Sequence, residues 1–138
     1  MNYKIVAKYI KKVNFDISHP EKFFSLTKDI SKYKFKIDIK SDSFKDNVIE
    51  VQTTLALVPN DNNFDKINAL VTYSTLVKLD KSLKDKKRLE EIILIEIPNE
   101  VYPELRKVFI IIFENSGFRE IKIDANVDFK KLYLSRKN

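Results

Sequence analysis

Residues 3–17 alternate in character. Tyr3, Ile5, Ala7, Tyr9, Lys11, Val13, Phe15 and Ile17 hold the odd positions, and Lys4, Lys8, Lys12, Asn14 and Asp16 most of the even ones. A period of two sends alternate side chains to opposite faces of a strand, one toward a core and one toward water. Phe35, Ile37 and Ile39 repeat the pattern, with Lys34, Lys36, Asp38 and Lys40 outward. A third run carries Ile49, Val51, Thr53, Leu55 and Leu57, and a fourth Ile67, Ala69, Val71, Tyr73, Thr75, Val77 and Leu79. The polar stretch 41–47 and the sequence Pro59-Asn60-Asp61-Asn62-Asn63 are turn signals between these runs. Short connections make the second, third and fourth strands antiparallel neighbours, since a parallel pair needs a crossover of about a dozen residues or more. The link over 18–34 is long enough to cross an edge, and it carries Phe23, Phe24, Leu26, Ile30 and Tyr33. Loops of that length are uncommon in compact domains and are often functional.

From residue 82 the period changes. The basic stretch 82–88 leads into Leu89, Ile92, Ile93 and Ile97 at mixed spacing, and Pro98-Asn99 is expected to stop that segment, because proline disfavours helix at the residue before it. Asn99 then caps a new helix over 99–116, with Glu100 in its first turn and Val101, Leu105, Val108, Phe109 and Ile112 at helical spacing up to Gly117. Pro103 falls early enough to be tolerated or to kink the helix slightly. Ile110, Ile111 and Phe113 are apolar too, so the C-terminal half of this helix needs cover on more than one side. The sheet supplies one cover. A partner subunit is expected to supply the other, with Val108, Ile110, Ile111 and Phe113 as its interface in a dimer or tetramer. A short strand at 121–123 precedes a last helix opened by Asp128, with Phe129, Leu132 and Tyr133 inward. The expectation is one α+β domain over residues 1–138: a four-stranded antiparallel sheet packed by a long helix and a short C-terminal helix.

Composition narrows the chemistry. The chain has no cysteine, no tryptophan, one glycine and one histidine. Thiolate zinc sites, disulfides and a cysteine nucleophile are therefore excluded, and so are the glycine-rich loops that cradle phosphates. His19 precedes Pro20 at a strand exit, with no partner at catalytic or ligand spacing. Glu90, Glu91 and Glu96 belong to a solvated face, since adjacent residues on a helix diverge. No catalytic residue, metal ligand or cofactor is expected, and the chain does not read as an enzyme. The longest apolar run, Val108 to Phe113, is far shorter than a membrane span, and residues 1–8 carry no secretory signal. A cytoplasmic protein is the expectation.

The formal net charge is +6, from 26 basic and 20 acidic residues. A basic nucleic-acid-binding module is the alternative this raises. Only four of the cations are arginine, however, and the lysines spread along the whole chain. In "KYKFKIDIK" the aromatics alternate away from the lysines, as on a half-buried sheet, where a single-strand binder exposes both together. The run from Lys84 to Arg88 is a solvated helix entry on the same grounds.

Several stretches carry a resemblance. "IPNEVYPELRKV", with Pro98, Asn99, Tyr102, Pro103 and Arg106, resembles the helix motif of the SecB protein-export chaperone family. "YIKKVNFDISHP" (9–20) is similar to that family's first strand and its exit, and "NVDFKKLY" (126–133) to its last helix. The resemblance implies a holdase that needs no ATP and assembles as a dimer of dimers. It also implies unfolded or precursor proteins as clients, bound in grooves walled by Phe23, Phe24, Leu26, Ile30 and Tyr33. The family's default partner is SecA, reached through acids on the sheet. Here Lys12 stands where the family tends to have an acid, Asp16 retains one, and the chain ends in Arg136-Lys137-Asn138. Weak or absent SecA docking follows, with a specialised client such as an antitoxin, as in the toxin–antitoxin branch of SecB-like proteins.

Overall fold

The computed structural model describes residues 2–60, 68–118 and 121–137, with 136 and 137 in backbone only. Asp61, Asn62, Asn63 and Ile67, which the sequence places in the second turn and the fourth strand, lie outside the described residues, as does Asn138. Four strands, β1 (Tyr3–Asp16), β2 (Tyr33–Lys45), β3 (Val48–Pro59) and β4 (Asn68–Leu79), form one antiparallel sheet in the order β1-β4-β3-β2. The period-two runs become strands because one face of each buries Val, Leu and Ile while the other meets water. Asn47 turns the β2–β3 hairpin at φ 59°, a left-handed conformation that asparagine tolerates. The link from β1 to β2 therefore crosses from one edge of the sheet to the other, through α1 (Pro20–Lys28) and a 3₁₀ turn, Ile30–Lys32.

β1 departs from simple alternation. Register shifts between Ile5 and Ala7 and between Ile10 and Lys12 turn the intervening residues over. Each bulge adds one residue, and one added residue exchanges the two faces. Ile5 and Phe15 face the core as expected, but Tyr9 sits opposite Ser74 on the outer face and Lys8 opposite Thr75 on the inner one. Lys8 Nζ reaches Glu104 Oε1 at 3.2 Å. Val13 keeps the inner register yet stays half-exposed, because β1 is an edge that the helix does not cover.

The helical half is one run. Asp85 caps α2 (Lys86–Glu91) by accepting from Lys87 N–H at 3.0 Å. A π-helical turn, Ile92–Glu96, then joins it to α3 (Ile97–Asn115), with every junction residue in the right-handed helical region. Pro98 and Asn99 thus do not end a helix or cap one. Proline's missing donor is absorbed by the widened turn, in which Ile97 N–H reaches back to Ile92 O. At the far end Gly117 stops α3 as expected, at φ 101°. Residues 121–124 are irregular and pair with no strand. Their carbonyls are served by the helix instead: Arg106 Nε donates to Ile123 O at 3.0 Å and Tyr102 OH to Asp124 O at 2.5 Å. Asp128 does open α4 (Phe129–Lys137), accepting from Lys131 N–H at 2.9 Å.

α3 and the crossover cover one face of the sheet. The main core gathers Leu26, Leu55, Leu57, Val71, Leu105, Phe109 and Phe113, and a second cluster joins Val51 and Val77 to Ile92 and Ile97. Phe129 and Tyr133 are buried as expected, whereas Leu132 is 44% exposed beside the sheet edge. Among the described residues, no helix is long and apolar enough to cross a membrane.

Candidate functional site

The crossover contributes both anchors and surface. Leu26 is fully buried in the main core. Phe23 packs on Phe118, with ring centroids 4.8 Å apart, and on Phe24 at 5.6 Å. Phe24 itself is 69% exposed, the most exposed of the large apolar side chains described. The i, i+1 spacing explains the split, since neighbours on a short helix point about 100° apart. Leu26 and Phe23 hold the crossover down so that Phe24 is presented.

Ile30 and Tyr33 take a third position. With Phe35, Leu57 and Ile121 they line an open hollow of about 280 Å³ where the crossover enters β2. From there the inward residues of β2 continue as a half-buried row: Tyr33, Phe35, Ile37 and Ile39. The row ends at a narrow apolar seam where Ile37 and Ile39 meet Leu94, Phe129, Leu132 and Tyr133. From Tyr33 to Ile39 is about 20 Å along a strand, long enough for several residues of an extended chain. β2 is an edge strand, so this groove lies open at the margin of the sheet.

Of the five walls expected from the sequence, Ile30 and Tyr33 line one end of the groove, while Leu26 is core and Phe23 and Phe24 lie outside the lining. Ile37, Ile39, Leu94, Leu132 and Ile121 were legible as apolar but not as lining. The available signal was the spacing of β2, whose odd positions are buried only if something covers a sheet edge. α4 and residues 121–124 reach that edge only in three dimensions.

The groove carries little charge chemistry. Tyr133 OH donates to Glu90 at 2.9 Å, which fixes α4 against α2. Arg88 bridges Glu96 and Asn2, joining the helix to the start of β1. Among the described residues there is no group of three His, Asp or Glu able to hold a metal. His19 is exposed, away from the groove lining. What the arrangement can do is bury apolar side chains.

The proposed interface residues divide in the same way. Phe113 is fully buried, in edge contact with Phe15 at 5.1 Å and stacked on Phe109 at 5.1 Å, so it closes the chain's own core. Val108 and Ile110 are half-buried and Ile111 is 46% exposed. On β1, Val6, Tyr9, Ile10 and Val13 are each about half-exposed along the other sheet edge.

A family model described as preprotein translocase subunit SecB matches residues 1–138. The chain is 36% identical over 137 residues to the putative protein-export protein SecB of Pelagibacter ubique (strain HTCC1062), across 99% of this chain and 98% of that one. Its fold is similar to that of a SecB-like chaperone from Mycobacterium tuberculosis, solved in complex with a ChAD peptide from the HigA1 antitoxin. That likeness has a TM-score of 0.67 at 10% identity, over 91% of this chain and 88% of the other, and is one of fold.

Proposed function

Because this chain belongs to the SecB family, we propose that it is an ATP-independent holdase that keeps client proteins unfolded along the β2 groove. The observation that carries the reading is the half-buried row Tyr33, Phe35, Ile37 and Ile39, continuous with the hollow at Ile30, together with Phe24 exposed on the same crossover. Burial of client side chains there contributes about 25 cal/mol per Å² of apolar surface, less the cost of ordering the client. Binding of that kind selects apolar, aromatic-rich stretches and little else. Members of the family are chaperones rather than enzymes, which agrees with a groove built for burial. Precursor proteins for export are one client class. A single specialised client is the other, and the peptide-bound antitoxin complex of the Mycobacterium tuberculosis chaperone supports it.

Assembly belongs to the same reading. Val108, Ile110 and Ile111 on α3 are incompletely covered by their own chain, and a homodimer or tetramer buries them. Sedimentation at micromolar concentration is expected to give a dimer or larger; a monomer overturns that part. SecA docking through the sheet is expected to be weak, because Lys12 lies on the outer face opposite Thr72.

The functional test is suppression of aggregation of a chemically unfolded protein, with and without ATP, alongside a gel shift with nucleic acid at physiological salt. Suppression at stoichiometric chaperone, unchanged by ATP, is the expected result. A clear gel shift without suppression overturns the reading in favour of a basic nucleic-acid-binding module.

A further inference from the structure

The sheet has a second face, and its chemistry differs from that of the groove. Both core clusters take their strand residues from the inner face; Ala56, Val58, Leu70 and Leu76 on the outer face belong to neither. The middle of this outer face is small and neutral. Gln52 lies opposite Ser74 and Thr54 opposite Thr72, and the two threonine hydroxyls share a hydrogen bond of 2.8 Å. Ammonium groups flank this floor. Lys34, Lys36 and Lys40 follow one another along the β2 edge, and Lys4, Lys12 and Lys78 occupy the β1–β4 side.

Two arrangements point to an anionic occupant. Lys4 sits directly opposite Lys78 in the ladder, and like charges in that position are destabilising unless an anion lies near them. With Lys81 and Asp80 they line an open hollow of about 350 Å³; the Asp80 carboxylate is engaged by Ser82 N–H at 3.1 Å. The carboxylate at one end of this floor, on Glu50, is also taken. Glu50 accepts from Lys11 at 2.7 Å and Ser74 at 2.7 Å, and from Gln52 at 3.2 Å. Asp38 lies 3.9 Å from Lys36, Asp42 sits opposite Glu50 in the ladder, and Asp16 ends β1.

We infer that this outer face docks an acidic segment of a partner protein, laid across the neutral floor between the two lysine flanks. Lysines offer compact charges that suit scattered carboxylates. Among the described residues the face has no arginine fork: Arg88 and Arg106 lie in the helical run and are committed to Glu96 and to Ile123 O. Of the exposed aromatics on the strands, Tyr9 has its hydroxyl directed at Glu50 and Phe44, at the hairpin end of β2, lies under the Lys45 ammonium, which leaves a poor stacking platform for bases. The partner binds on the opposite side of the sheet from the groove, so client and partner are held together. This inference does not depend on the holdase reading.

The experiment uses the full chain and a fluorescein-labelled peptide of alternating glutamate and alanine. A glutamine-alanine peptide and an oligouridylate of matched length are the comparisons. The acidic peptide is expected to bind, and to weaken as salt rises from low to physiological ionic strength. The triple variants Lys34→Gln/Lys36→Gln/Lys40→Gln and Lys4→Gln/Lys12→Gln/Lys78→Gln are each expected to lose about tenfold in affinity. Lys107→Gln/Lys131→Gln, away from this face, is expected to change nothing. All variants are expected to suppress aggregation as the parent chain does, which separates failure here from failure of the holdase reading. Equal binding of the neutral peptide, affinity untouched by both triple variants, or tighter binding of the oligouridylate overturns the inference.

Discussion

Phe118 donates its backbone N–H to the carbonyl of Phe113 across 2.9 Å, and the two rings meet with centroids 5.6 Å apart. Gly117 N–H reaches Glu114 O at 3.2 Å within the same turn. The pair of bonds and the ring contact form a Schellman motif, which requires a left-handed residue between helix and exit. Gly117 supplies it, and the space above its Cα is filled by Phe23, whose ring carbons would lie 3.1 and 3.2 Å from an added Cβ.

Gly117→Ala therefore strains the backbone and pushes on Phe23 at once. The expected loss is about 1–2 kcal/mol of unfolding free energy, read from the urea midpoint. A weakened grip on Phe23 also loosens the crossover, so faster hydrogen exchange in α1 is expected in the same variant.

Phe24 and Leu26 separate surface from anchor. Phe24→Ser is expected to leave stability within about 0.5 kcal/mol while weakening client binding by up to about tenfold. Leu26→Ala leaves a cavity in the main core and is expected to cost about 2–5 kcal/mol. Thermal unfolding together with an aggregation-suppression titration checks both. Equal stability losses in the two variants would contradict the assignment.

Thr53 and Thr75 are fully buried under the helix, and neither side-chain hydroxyl has a hydrogen-bond partner among the described residues. An unmade bond at a buried hydroxyl costs about 1–3 kcal/mol. Thr53→Val and Thr75→Val are accordingly expected to be neutral or to stabilise by about 1 kcal/mol, measured by chemical denaturation.

Glu104 ties α3 to the sheet, and its charge makes that tie depend on pH. Tyr73 OH donates to it at 2.7 Å and Lys8 Nζ at 3.2 Å. The bond from Tyr73, then that from Lys8, holds the Glu104 carboxyl below its usual range, and the same carboxylate pushes the Tyr73 phenol up to about 12. A depressed carboxyl contributes stability above its unfolded pKa that is lost as pH falls through the folded value. A raised phenol contributes stability below its ordinary pKa of 10.0, lost as pH rises toward about 12. Urea midpoints across pH are expected to fall at both ends. Glu104→Gln should flatten the acid limb and Tyr73→Phe the alkaline one.

Alternation alone places Leu55, Leu57, Val71 and Val77 on the inner face, and local chemistry marks Gly117 as a helix stop and Asp128 as a helix start. These features depend on a few neighbouring residues, so a linear sequence carries them. The bulges in β1 leave no such mark: no glycine stands there, and it is the pairing with β4 that turns Lys8 inward and Tyr9 outward. Pro98 is a stop signal by local rules. Yet Ile92 and Ile97 are both fully buried in one cluster, and five residues apart they share a face only where the helix widens to a π turn. Packing against Val51 and Val77 thus overrides the proline. The groove divides likewise. Its apolar residues were written in β2 and the crossover, but a groove is a relation between elements distant in the chain, and only the arrival of α4 and residues 121–124 at the β2 edge makes one.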